Sequence, residues 1–224
     1  MQVNQMIDHT KLGASINQEQ IDKLIAEAKQ YDFKSVCVNP IWVKYAKQEL
    51  NNSHVLVCTV IGFPHGTHTP SVKAYEAEQA VLDGADELDL VINVFALKSM
   101  DYKTISKEIK GVVDQGKGRT VKVIIETCYL TPEEIVKASQ LAVEAGAHFV
   151  KTSTGFGTYG ARIEDVKLMK QTVGDQAEIK ASGGVRTYQD ALKMIEAGAT
   201  RIGTSNGVDI VNQKENEHDT NTSY

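Results

Sequence analysis

The chain has 224 residues, 42% of them hydrophobic and 24% charged, with a formal net charge of −5. That balance is ordinary for a folded globular protein, and the lack of a basic tract or stripe argues against nucleic acid as a partner. No apolar run approaches the roughly 18 residues of a membrane span. The start, MQVNQMIDHTKL, lacks the charged and apolar regions of a secretory signal, so a cytoplasmic protein without membrane contact is expected.

Eight short β-like runs follow one another, at residues 6–9, 35–39, 55–61, 87–92, 121–127, 149–153, 178–181 and 201–204. Helical patterns separate them. Thr69-Pro70 opens one helix with a cap residue and a proline at the first helical position. Thr131 opens another as a capping box with Glu134, and Thr187 opens a third with Asp190 three positions on. Ile135, Ala138, Leu141, Ala142 and Ala145 recur at steps of three and four, as on one helix face. Three segments repeat one layout: AVLDGADELDLVI (80–92), LAVEAGAHFVKTS (141–153) and KMIEAGATRIGTS (193–205). In each a helix stops at a glycine (Gly84, Gly146, Gly198), whose left-handed cap feeds a short link into a strand.

Strands alternating with helices imply a parallel sheet. Eight of them, in a chain near the typical size of about 250 residues, imply one closed (β/α)8 TIM barrel, here residues 1–211. A doubly wound open sheet is the alternative, weakened by the absence of GxGxxG after an early strand. From residue 212 onward (NQKENEHDTNTSY) the chain is polar and unpatterned, and reads as a flexible tail. Cys37, Cys58 and Cys128 lie in apolar runs without CxxC spacing and read as reduced, buried thiols.

In such a barrel the chemistry lies at the C-terminal ends of the strands. Three in-strand charges stand out: Asp89 in ELDLVI, Lys151 in HFVKTS and Lys180 in EIKAS. A lysine in a buried strand is costly unless its charge is paired or its pKa is lowered. Alternation sets Asp89 opposite Leu88 and Leu90, so it points into the barrel if the leucines pack under the helices. A second ammonium nearby lowers a lysine's pKa, and the neutral amine forms a Schiff base with a carbonyl. A carboxylate in reach serves as acid or base. The structural alternative is an ion pair of Lys151 and Asp89 in the barrel mouth.

GGVRT (183–187) and GTSNG (203–207) follow the last two strands, where these barrels frequently bind phosphate. Arg186 adds a charged contact. Turn glycines without a ligand remain the alternative. His65 and His68 lack a third ligand at suitable spacing, so no metal is expected. Asp8, Thr10 and Glu126 sit near strand ends as hydrogen-bonders or functional groups, and Trp42 reads as packing.

Together IDHT, VCVNP, GFPHG, ELDLVIN, VKVIIET, FVKTSTGF, KASGGVRT and GTSNG, in this order from residue 7 to about 211, resemble the deoxyribose-phosphate aldolases. The resemblance implies a class I aldolase without metal or other cofactor. It makes Lys151 the Schiff-base lysine, Lys180 the second lysine that lowers its pKa and exchanges protons, and Asp89 the acid/base working through a water. Gly155, Gly183, Gly184, Arg186, Gly203, Ser205 and Asn206 fall where the family grips the substrate phosphate, with Asp8, Thr10 and Thr154 in supporting places. Tyr224 resembles the C-terminal tyrosine that some members fold over the site. Asn206 stands where many relatives carry a second serine, HTKLGAS differs from commoner starts, and Tyr129 and Tyr159 replace smaller residues.

The activity so implied is reversible cleavage of 2-deoxyribose 5-phosphate to glyceraldehyde 3-phosphate and acetaldehyde, in a homodimer. An isomerase working without an imine, and a non-catalytic phosphosugar-binding protein, are the rivals.

Overall fold

A computed structural model of the chain describes residues 2–213. Tyr224 and the expected tail beyond Gln213 lie outside the described residues. Eight parallel strands close into a barrel in sequence order, β1-β2-β3-β4-β5-β6-β7-β8. They are β1 Ile7–Lys11, β2 Ser35–Val38, β3 Leu56–Ile61, β4 Glu87–Val91, β5 Thr120–Ile124, β6 Phe149–Lys151, β7 Glu178–Ser182 and β8 Arg201–Thr204. Between them come α1 Gln18–Gln30, α2 Val43–Glu49, α3 Pro70–Leu82, α4 Val94–Lys98, α5 Tyr102–Gln115, α6 Pro132–Glu144, α7 Ile163–Val173, α8 Tyr188–Glu196 and the short α9 Gly207–Val211. No helix among the described residues is long and apolar enough to cross a membrane.

The three repeated segments close their helices identically. Gly84, Gly146 and Gly198 have φ of +103°, +88° and +114°. In each, the glycine N–H donates to the carbonyl three residues back and the next N–H to the carbonyl five back, as Ala85 does to Ala80 at 2.9 Å. That double bond satisfies carbonyls left open at a helix end and needs a left-handed residue. Capping boxes start α1 (Asn17), α6 (Thr131) and α8 (Thr187). Thr69 departs from expectation: its backbone is extended ahead of Pro70, yet its hydroxyl lies 3.2 Å from Ser71 Oγ and does not cap α3.

The main core fills the layer between strands and helices, where Leu88 and Leu90 are fully buried. Alternation therefore turns Glu87 and Asp89 into the barrel. A smaller apolar cluster of Leu12, Cys37, Cys58 and Val60 lies apart from that core. Cys128 differs from the other two thiols, being only half-buried in a single turn after β5. Trp42 packs partly buried beside Tyr45, as expected. β5 and β6 end earlier than their predicted runs, at Ile124 and Lys151, and beyond β5 Glu126 turns left-handed. β1 runs later, to Lys11, so Asp8 sits inside the barrel and not at its mouth.

Candidate active site

Inside most barrels of this type the layers are branched aliphatic side chains. Here much of that volume is ionic. Asp89 on β4 accepts from Lys151 Nζ at 2.7 Å and Lys180 Nζ at 2.8 Å on one oxygen, and from Lys122 Nζ at 2.9 Å on the other. Lys180 also reaches Asp8 at 2.5 Å. Asp8 pairs with Arg201 at 2.7 Å, Arg201 with Glu87 at 2.9 Å, and Glu87 with Lys122 at 2.6 Å. Followed in order, Asp89, Lys180, Asp8, Arg201, Glu87 and Lys122 form a closed ring of alternating sign. Lys151 hangs from it at Asp89, the last residue of its strand and slightly exposed, whereas Lys122 and Lys180 are fully enclosed.

The ring overrides the cost of burial. Burial alone would raise the Asp89 carboxyl, but Lys122, Lys151 and Lys180 hold it well below the ordinary carboxylate range. Burial works against the Lys180 ammonium, and Asp8 and Asp89 outweigh it, keeping that lysine protonated. Lys122 is held protonated in the same way by the Asp89, Glu87 and Asp8 carboxylates. Asp8 stays ionised against burial because Lys180, Lys122 and Arg201 surround it. Ser35 Oγ donates to Asp8 at 2.7 Å, and Cys58 Sγ lies 3.1 Å from Asp89. Burial and the neighbouring Cys37 thiol push the Cys58 thiol up, so it faces Asp89 as a donor.

The structure thus joins Asp89, Lys151 and Lys180, as the in-strand charges suggested, and adds four partners that sequence reasoning passed over: Glu87, Lys122, Arg201 and Cys58. Thr10 stays in β1, its hydroxyl bonded to the Asp8 carbonyl at 2.8 Å. His65 and His68 belong to neither group of donor atoms close enough for a cation among the described residues. Those groups, Cys37–Cys58–Asp89 and Asp8–Cys58–Glu87, draw on carboxylates already engaged by lysine or arginine.

Around the ring two of the loop glycines, Gly183 and Gly203, fit tightly. A side chain on Gly203 would press within 3.0 Å of Lys180 Cε. Gly183 and Gly184, both left-handed, precede α8, and a side chain on Gly183 would come within 2.8 Å of the Gly160 Cα and 3.6 Å of the Gly155 Cα. The loop after Lys151 therefore meets the loop after Lys180. Arg186 N–H donates to Asp190 at 3.3 Å. Ser205 and Asn206 line a cleft of about 480 Å³ with Thr10, Lys11, Lys23 and Asp209. Thr154 is gripped by Glu126 through its N–H, at 3.2 Å to each carboxylate oxygen, and through its hydroxyl.

Comparison with known proteins adds a second line. A family model described as DeoC/LacD family aldolase matches residues 2–213. A deoxyribose-phosphate aldolase of Carboxydothermus hydrogenoformans is 61% identical over 213 residues, 93% of each chain. One of Acholeplasma laidlawii is 55% identical over 224 residues, the whole of both chains. Among solved structures, the tetrameric deoxyribose phosphate aldolase of Aeropyrum pernix superposes with a TM-score of 0.87 at 32% identity, covering 94% of this chain and 89% of that one.

Proposed function

We propose a mechanism from one premise: the chain belongs to the DeoC/LacD family of aldolases. It is a class I deoxyribose-phosphate aldolase, cleaving 2-deoxyribose 5-phosphate reversibly to glyceraldehyde 3-phosphate and acetaldehyde through a lysine Schiff base.

We assign the nucleophile to Lys151. One observation carries the assignment: three carboxylates and three cations balance in the ring, so the Lys151 ammonium is its surplus charge. Losing that proton leaves the cluster neutral, and a neutral amine attacks an aldehyde. Lys122 and Lys180 do not compete, since each is held by two close carboxylates. The Lys151 nitrogen bonds to C1 of the open-chain sugar, and loss of water gives the protonated imine. A base takes the C3 hydroxyl proton, the C2–C3 bond breaks, and its electrons pass into the imine as glyceraldehyde 3-phosphate leaves. Protonation of the enamine at C2 and hydrolysis release acetaldehyde and restore the amine.

Asp89 lies one hydrogen bond from the reacting nitrogen. Three ammonium neighbours keep it ionised, so we give it the part of a transient proton relay through water, not of a resident acid. Lys180 acts as a fixed cation that makes the Lys151 charge surplus. We place the substrate phosphate among Gly155, Gly183, Gly184, Arg186, Gly203, Ser205 and Asn206. The two left-handed glycines ahead of α8 and the close approach of Gly155 to Gly183 support this, since small residues let backbone N–H groups reach an anion. We further expect a cytoplasmic homodimer, the commonest closed assembly.

Acetaldehyde followed by borohydride should fix an ethyl group on Lys151, located by mass spectrometry of a digest. An adduct on another residue, or none, would overturn the mechanism; an isomerase leaves none.

A further inference from the structure

Glu126 stands two residues beyond β5 with φ +54° and ψ +68°, a left-handed conformation uncommon for any residue but glycine. The backbone around it explains how it is held. Ile125 N–H donates to the Lys151 carbonyl and Thr127 N–H to the Thr152 carbonyl, each at 3.0 Å. Three residues of one chain thus run beside two of the other, a one-residue bulge with Glu126 as the extra residue. Bulges of this kind re-aim a side chain.

The re-aimed side chain has a definite target. Glu126 is 3% exposed, and its carboxylate accepts both the N–H and the hydroxyl of Thr154. Thr154 Oγ1 in turn accepts the Phe156 N–H at 3.0 Å. Gly155, with φ +90°, is bracketed between these two bonds, four residues from the Lys151 amine and in contact range of Gly183. Nothing in the carbon–carbon cleavage itself uses Glu126.

We infer that Glu126 is a positioning residue: set by its bulge, it clamps Thr154 and so fixes where Gly155 meets the substrate phosphate. This rests on Lys151 as nucleophile and Gly155 as a phosphate contact. The clamp acts on the end of the substrate that carries the phosphate and leaves the imine chemistry alone. It therefore predicts a loss that depends on the phosphate.

The test compares 2-deoxyribose 5-phosphate with unphosphorylated 2-deoxyribose on Glu126→Ala, Glu126→Gln, Thr154→Val and the Glu126→Ala/Thr154→Val pair. For the phosphorylated sugar kcat/KM should fall about 10- to 100-fold, mainly through KM, while for the unphosphorylated sugar the Glu126 single variants change it by less than about threefold. Glu126→Gln, which keeps one acceptor oxygen, should recover part of the loss. The paired variant should be no worse than the poorer single one, as for two residues acting through one contact. An unchanged ratio between the two sugars, or an equal fall for both, overturns the inference. Should Glu126→Ala fail to fold, Thr154→Val, which loses the hydroxyl contact and keeps the N–H one, must still lower the ratio of phosphorylated to unphosphorylated sugar, by a smaller factor. Acetaldehyde–borohydride labelling separates this inference from the one beneath it. No label on Lys151 in the unsubstituted protein sinks the mechanism, whereas intact labelling with an unchanged sugar ratio sinks only the clamp.

Discussion

Two buried ionic sites lie on opposite faces of β4. Inside the barrel is the seven-residue cluster of the candidate active site. Outside it, under α3 and α5, Lys73 Nζ meets Glu108 at 2.6 Å, both side chains fully enclosed. Lys73 also donates to the Val91 carbonyl at 2.8 Å, and Glu108 accepts the Asn93 N–H at 2.7 Å. Electrostatically the two sites run opposite ways. In the outer pair burial wins over one partner: the Lys73 ammonium is pushed down and the Glu108 carboxyl up. In the ring each member has two opposite charges, and the partners win. Burial therefore does not by itself decide which form wins; the count of partners does, and Lys151 stands apart with one carboxylate within bonding range of a cluster already balanced without it.

The largest expected effect breaks the ring's distinction between its members and its appendage. Lys151→Met should abolish turnover yet leave unfolding free energy within about 1 kcal/mol, because it removes only surplus charge. Lys122→Met breaks two buried ion pairs at once, with Glu87 and Asp89, and should cost about 3–5 kcal/mol. Urea unfolding followed by circular dichroism measures both. Equal destabilisation by the two would make Lys151 a structural ring member and undo the charge count.

Next in size is the outer pair. Glu108→Leu and Lys73→Met should each cost about 3–5 kcal/mol, and the double variant less than their sum, since no orphan charge remains. A residue of about 1–3 kcal/mol for each stranded backbone partner, at Val91 and Asn93, should persist. No such rescue is expected within the ring, where every member has a second partner left behind. Strict additivity in the Lys73–Glu108 cycle would mean that the pair is not coupled as its distance implies.

Much of this was legible in the chain. Glycine caps and alternating patterns gave the barrel because both are local: they need only a residue and its near neighbours. Asp89, Lys151 and Lys180 stood out as charges inside apolar runs. Lys122, between Val121 and Val123, carries that same signal but lacks the glycine-rich loop that drew attention to the other two. Glu87, two residues from Asp89, shares its face by simple alternation. What no single strand reveals is the level at which its charges meet those of its neighbours. Asp8 lies beside Gly203 and Lys180 beside Arg201 only through the stagger that closes the barrel. The bulge at Glu126 left no mark at all, because a left-handed glutamate in an apolar run reads as one more extended residue.

The smallest effect is the sharpest test of the contrast, because it asks for a sign. Glu108 has its folded pKa raised by burial, so its contribution is fully present below the unfolded value of about 4.3 and is lost as pH rises through the folded value. Asp8 and Asp89 are lowered by their ammonium neighbours. Their contribution is present above about 3.9 and lost only as pH falls through folded values well below that. From about pH 4 up to the raised folded value of Glu108, Asp8 and Asp89 are therefore silent and Glu108 is not. The unfolding free energy of the protein minus that of the Lys73→Met/Glu108→Leu variant should fall across this window, by at most about 1.4 kcal/mol per pH unit. A difference that rises instead would mean that Lys73 holds Glu108 ionised against burial, and that one close partner suffices where the ring uses two.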